Sequence, residues 1–314
     1  MSQKKEHSDL ARKRINAEYQ KYLDSSLKED EHIYCIMNPD NCFNLQAMIV
    51  GPEGTPYEGG FYFFTLYFSD NYPLSPPSVK FKTYGIISNN SIRFNPNLYT
   101  NGKVCLSILG TWSGPGWTTL MNLITVLLDL QTLMNDNPIQ NEPGYEKRHW
   151  KTDEQANSYR TLVAYYNLCV GQFQMMEQTP PGFECFKEIM ERRFLKNINF
   201  YNKWRDFMIP LEGKHFVSRY AGMKTIIYAN HWSKMIENKI DEHEKRLYDL
   251  QFLIEEKNGG NHGYEIVHQV GSAGFRIDIG VKHEDYPYGY ILAVETDGAS
   301  YHSTKSARDR DFLR

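Results

Sequence analysis

From Ser8 to Ser26, Leu10, Ile15, Tyr19 and Leu23 recur near helical spacing with charges between them. That pattern predicts an amphipathic helix over 8–26, with Ser8 as its N-cap. Short apolar and aromatic runs follow at 32–37, 43–50, 61–68 and 78–83, separated by turns rich in Gly, Pro, Asn and Asp. Their connections are too short for crossover helices, which predicts an antiparallel meander. Residues 84–117 show no sustained period and read as a structured loop. The strongly apolar run 119–134 predicts a helix buried on most sides.

Beyond about residue 146 the period becomes helical. Segments 152–177, 183–208 and 214–257 are separated by Thr179-Pro180-Pro181-Gly182 and by Pro210 through Gly213. Gly259-Gly260 breaks the pattern, and 264–270, 275–282 and 290–297 read as strands. The domain reading is therefore 1–150, a helical extension 151–257, and a small segment 258–314.

Composition narrows the classes. Among 314 residues, 41% are hydrophobic and 23% charged, which excludes a disordered or collagen-like chain. The net charge of −3 offers no global excess for nucleic acid. No apolar run reaches the ~18 residues of a membrane span. The basic start of the chain lacks the apolar segment of a secretory signal. Cysteines number five (Cys35, Cys42, Cys105, Cys169, Cys185), with no CxxC pair. That argues against a zinc site or a disulfide framework and places the protein in the cytoplasm or nucleus.

The informative segment is RFNPNLYTNGKVCLSIL, residues 93–109. Cys105 ends a polar loop that contains Asn97 and Asn101. A thiol exposed there can accept an acyl group, and a side-chain amide nearby can stabilise an oxyanion. On its flanks alone, Val104 and Leu106, Cys105 reads more readily as a small buried hydrophobe.

The surrounding motifs resemble the ubiquitin-conjugating enzyme family. The family's His-Pro-Asn is met by Asn95-Pro96-Asn97, with Cys105 eight residues after Asn97. The run from Gly51 to Phe68 resembles its strand-turn-strand, and Tyr72 to Pro77 its proline-rich turn. Trp117 with helix 119–134, then the run from Asn137 to Pro143, resemble its later helix and loop. RFNPN, GTWSGPGW and NEPG resemble the larger members, those with a helical extension. The resemblance implies an α+β UBC fold over about 8–150: an N-terminal helix, a four-stranded antiparallel meander and C-terminal helices. It also implies that 1–150 folds and loads alone, and that the helices after it tune partner choice without building the site.

By matched position, the resemblance makes Cys105 the acceptor of ubiquitin or a ubiquitin-like protein, as a thioester from an activating enzyme. The modifier then passes to a substrate lysine or a ligase. Asn97 would hold the loop and stabilise the oxyanion. Glu142 stands where the family often carries an acid that orients and deprotonates the lysine, and reads equally as a plain surface acid. No metal or nucleotide is implied for this step. Helix 8–26, with Arg12, Lys13 and Arg14, and the turn Tyr72–Pro77 would face the activating enzyme and ligase.

Two departures stand out. Asn95 replaces the family's histidine, and the segment between Cys105 and Trp117 is about four residues longer than in compact members. The longer loop, Gly110–Gly116, would lie beside the thiol.

A second constellation lies in the tail. Asp278 is on one strand-like run, and Glu295 and Asp297 close another. Carboxylates at adjacent strand ends can hold a hard divalent ion, and they also occur as ordinary strand-end acids. The stretch from Gly274 resembles a restriction-endonuclease-like nuclease core of the very-short-patch-repair type. By that resemblance Asp278 and Glu295 would bind magnesium, and His302 could donate a proton. The family continues past ARDRDFLR with a helix and a strand, so a truncated α/β tail with weak magnesium binding and no DNA cleavage is expected. Two other readings remain: a UBC-fold module that binds ubiquitin without catalysis, and a nuclease targeted by the UBC domain. Nucleic acid and membrane are not expected partners.

Overall fold

The computed structural model describes residues 2–83, 86–87, 90–258, 264–270, 277–283 and 292–294, with side chains described over 9–83 and 92–245, Ile198 and Glu244 excepted. Helix α1 (Ser2–Leu23) leads into β1 (Ile33–Met37), β2 (Asn44–Val50), β3 (Phe61–Tyr67) and β4 (Ser78–Phe81). These strands form one antiparallel sheet in sequence order, as the spacing predicts. The register pairs Ala47 with Cys35 on one side and Phe64 on the other, and Phe64 with Phe81. Every residue from Phe61 to Leu66 is buried, so β3 is covered on both faces.

Helix α1 differs from expectation. It begins before Ser8, and its buried stripe is Ala11, Ile15, Glu18 and Tyr22, while Leu10 and Leu23 are exposed. The stripe is turned because a charged residue occupies it. The Glu18 carboxylate accepts from Arg14, from the Tyr72 hydroxyl and from Leu123 N. Leu123 is the first residue of α2 (Leu123–Thr132). Arg14 also reaches the carbonyls of Thr119 and Met121, so of the three basic candidates Arg12 and Lys13 are the exposed ones. Helix α2 starts four residues later than its apolar pattern, because the Asn122 side chain caps it by accepting from Thr125 N at 3.1 Å.

After residue 150, α3 (Glu154–Tyr166) is capped by Asp153 and continues through wider π-type turns over Asn167–Gln174. The expected single helix over 183–208 is divided into α4 (Lys187–Lys196) and α5 (Ile198–Met208). The expected helix from 214 is instead a hairpin followed by a helix. Strands β5 (His215–Ser218) and β6 (Met223–Ile226) pair antiparallel, and α6 starts only at Ala229, running to Asn258. The four-residue turn Arg219–Gly222, with Gly222 at φ +63°, supplies the left-handed residue that a helix would not contain.

The chain divides into two compact units. One holds 1–194 with 202–229, and the other 195–201 with 230–314. In the second, β7 (Tyr264–Val270), β8 (Ile277–His283) and β9 (Leu292–Val294) form an antiparallel sheet with β8 central. Asp278 lies on β8. Glu295, Asp297 and His302 lie outside the described residues, so the expected pairing of Asp278 with Glu295 lies outside them as well. Among the described residues, no group of three or more His, Cys, Asp or Glu is placed to hold a metal ion. No described helix is long and apolar enough to cross a membrane.

Candidate active site around Cys105

Buried amides build this site. Asn95 is wholly buried. Its Nδ2 donates to the Leu133 carbonyl at 2.6 Å and to the Tyr57 hydroxyl at 2.9 Å. Its Oδ1 accepts from Asn97 N at 2.9 Å and from Asn141 Nδ2 at 3.2 Å. One side chain thereby ties the loop to the end of α2 and to the turn Pro138–Asn141. The asparagine that replaces histidine in the tripeptide keeps the loop fastened.

Asn97 is the next link. Its Nδ2 donates to the carbonyl of Cys105 at 2.7 Å, and Cys105 N donates to the carbonyl of Asn97 at 2.9 Å. Asn97 Oδ1 is buried without a hydrogen-bond partner. The two residues are therefore bound to each other across the loop.

Cys105 is not in an exposed loop: it is only 1% exposed. Burial raises its thiol above the usual range, and Glu142 adds to this. Lys103, Arg93 and a hydrogen bond from the Tyr99 side chain pull the other way. A buried thiol with two cations and a phenol around it differs from the other buried cysteines. Cys35 and Cys169 sit in the core, and burial drives both thiols far up.

Sequence reasoning passes over the residues around the sulfur. The Arg93 guanidinium lies 4.3 Å from the Tyr99 ring centroid, and its N–H donates to the Pro96 carbonyl at 2.8 Å. Arg93 also lies 3.9 Å from Glu142 Oε2. Glu142 is half-buried and comes directly after the turn that Asn141 anchors. The Tyr220 hydroxyl, from the β5–β6 turn, donates to the same Oε2 at 2.6 Å. Tyr159 of α3 donates its hydroxyl to the Arg93 carbonyl at 2.9 Å. Residues after 150 thus contribute to the surroundings of the site, contrary to the expectation drawn from the motifs. The signal for Tyr220 is weak: alternation in HFVS and MKTI around a glycine-containing turn.

The longer loop is fastened at Thr111. Its hydroxyl donates to the Val104 carbonyl at 2.7 Å and accepts from Leu106 N at 3.0 Å. An open groove of about 420 Å³ is lined by Thr111 and Val104 together with Pro77, Lys80, Asn101 and Lys103.

Residues 14–166 match the family model "Ubiquitin-conjugating enzyme". They form a ubiquitin-conjugating (UBC) domain. The chain is similar to "Ubiquitin-conjugating enzyme E2 Z" of Homo sapiens, 44% identical over 170 residues, covering 54% of this chain and 47% of that protein. The protein of that name from Xenopus tropicalis is 40% identical over 183 residues, 58% of this chain and 57% of its own length. "Dual E2 ubiquitin-conjugating enzyme/E3 ubiquitin-protein ligase BIRC6" of Homo sapiens is 36% identical over 174 residues, 54% of this chain and 4% of its own length. The chain spans about half the length of the E2 Z relatives it matches. A second family model, REase_MTES_1575, matches residues 257–314, which fits the nuclease-like reading of that segment.

Proposed function

We propose that the protein is a ubiquitin-conjugating transferase with Cys105 as its acceptor. The Cys105 thiolate attacks the thioester carbonyl of a modifier held by an activating enzyme, and the activating enzyme's thiolate leaves. A lysine amine, or a ligase cysteine, then attacks the new thioester, and the Cys105 thiolate is released. The observation that supports this reading is the reciprocal Asn97–Cys105 hydrogen bonding inside a UBC domain. It holds a thiol that Lys103, Arg93 and the Tyr99 side chain act to lower against the effect of its burial.

In this reading Asn97 fixes the loop and offers its amide to the oxyanion of the aminolysis step. A lysine amine, pKa ~10.4 in water, must lose a proton before it attacks. Glu142, whose charge is felt at Cys105, is the carboxylate that receives or orients that proton. Ubiquitin or a ubiquitin-like protein, an activating enzyme, a ligase and a lysine-bearing substrate are the partners this chemistry requires.

The test is to incubate the chain with activating enzyme, ATP and tagged modifiers and to run non-reducing gels. A reducible adduct is expected, absent in Cys105→Ala and replaced by a reductant-stable ester in Cys105→Ser. An adduct that survives Cys105→Ala would assign the thioester to another cysteine. No adduct with any modifier would favour a module that binds without catalysis.

A further inference from the structure

We propose that Tyr220, on the hairpin beyond the residues that match the family, is a positioning residue for transfer from Cys105 to lysine, because its phenol clamps the Glu142 carboxylate. The inference rests on the proposed transferase reading and deepens it.

Glu142 alone is a half-buried acid at the end of a short turn, where a carboxylate samples several rotamers. Two contacts remove that freedom from one oxygen. Tyr220 donates to Oε2 at 2.6 Å, and the Arg93 guanidinium stands 3.9 Å from the same atom. Arg93 is itself bracketed, 4.3 Å from the Tyr99 ring centroid and 5.5 Å from that of Tyr220. Among the described residues Glu142 Oε1 has no hydrogen-bond partner, and in this proposal it is the oxygen that meets the incoming amine. Arg93 and the Tyr99 side chain both act to lower the Cys105 thiol, so the contacts that join Tyr220, Arg93 and Tyr99 are felt at the sulfur.

Tyr220 is held as firmly as it holds. Its ring packs 5.3 Å from Tyr159 and 5.5 Å from Tyr145. The hairpin beneath it is fastened to α3, through Tyr166 donating to the Lys224 carbonyl at 3.2 Å and Tyr228 N donating to the Tyr165 hydroxyl at 3.4 Å. Burial and the bond to Glu142 raise the Tyr220 phenol well above its ordinary range, so it stays a donor. A clamp of this kind lowers the reorganisation needed when the amine arrives, which is where a misplaced carboxylate costs rate.

The experiment is single-turnover discharge of the full chain, loaded with ubiquitin on Cys105, to free lysine over a range of lysine concentrations. Tyr220→Phe keeps the ring contacts and removes only the hydroxyl. It is expected to slow saturating discharge about tenfold, with the effect on discharge and not on loading. In a Glu142→Ala background the same substitution is expected to have no further effect, a coupling that a merely structural role would not produce. Tyr220→Phe discharging at the unsubstituted rate would overturn the inference while leaving the transferase reading in place. So would an equal slowing in both backgrounds, or Glu142→Ala discharging normally. An unsubstituted chain that never loads would overturn the transferase reading and this inference with it.

Discussion

Asn97 donates its side-chain amide to the carbonyl of Cys105 at 2.7 Å, inside a loop where both residues are buried. Asn97→Ala leaves that carbonyl without its donor, a loss of about 1–3 kcal/mol. Denaturant unfolding should move to lower concentration by that amount. If the amide also serves the oxyanion, discharge to lysine falls a further ~100-fold while loading falls far less. Equal loss of both steps would confine Asn97 to holding the loop.

Asn95 makes four hydrogen bonds from a wholly buried position. Removing it takes the partner from Asn97 N and one of two bonds each from Tyr57, Asn141 Nδ2 and the Leu133 carbonyl, since Asn141 still donates to Leu133 at 3.0 Å and Tyr57 to the Phe94 carbonyl at 2.7 Å. Asn95→Ala is expected to cost about 2–4 kcal/mol, at the upper end for buried polar networks. Asn95→Asp should cost more, since it sets a carboxylate oxygen against the Leu133 carbonyl, now 2.6 Å from the amide. Urea unfolding of both variants checks the order. An Asp variant as stable as the original would mean the network rearranges freely.

Much of this is legible in the chain. The meander follows from alternating apolar runs with short connections, whereas Asn97 and Cys105 are singled out only by their match to the family motif. The differences have identifiable physical causes. The buried face of α1 eludes the apolar pattern because Glu18 sits in it, and a charged residue is assigned to solvent until its three donors are seen. Segment 214–257 reads as one helix because the strongly helical α6 dominates it, and the hairpin is only four residues per strand. Tyr220, Arg93 and Tyr99 are invisible as site residues in the sequence because the fold, not the spacing, brings them together.

Burial sets the reactivity of Cys105. Its thiol is raised above the ordinary value of 9.0, so the thiolate is the minor form at neutral pH. Alkylation of Cys105 by a neutral reagent, read by peptide mass, should therefore keep climbing from pH 7 to 9 without reaching a plateau. Lys103 lowers the thiol, so Lys103→Ala raises it further and slows the reaction at any pH in that range. A plateau near pH 7 would show that the cations outweigh burial.

The last expectation concerns where the folded unit ends. Motif matching suggests that 1–150 stands alone, but β3 is covered by side chains from beyond residue 150. Phe63 packs 4.9 Å from Phe183 and 6.2 Å from Phe186. The Tyr62 hydroxyl donates to Asn167 Oδ1 at 2.6 Å, and Asn167 Nδ2 donates to the Glu58 carbonyl at 2.8 Å. The approach is so close that a Cβ on Gly60 would stand 1.8 Å from Asn167 Oδ1. A fragment of 1–150 leaves the Tyr62 hydroxyl and the Glu58 carbonyl without these partners. It also exposes Phe63, whose full burial is worth about 1.5–3 kcal/mol, together with the neighbours that the same helices cover. That fragment should bind a hydrophobic dye, aggregate and melt without cooperativity, whereas 1–229, which retains α3, Phe183, Phe186 and the hairpin, should melt in one transition and load Cys105. A soluble 1–150 that melts cooperatively and loads at the full-chain rate would show that α3 and the hairpin only decorate an independent UBC core.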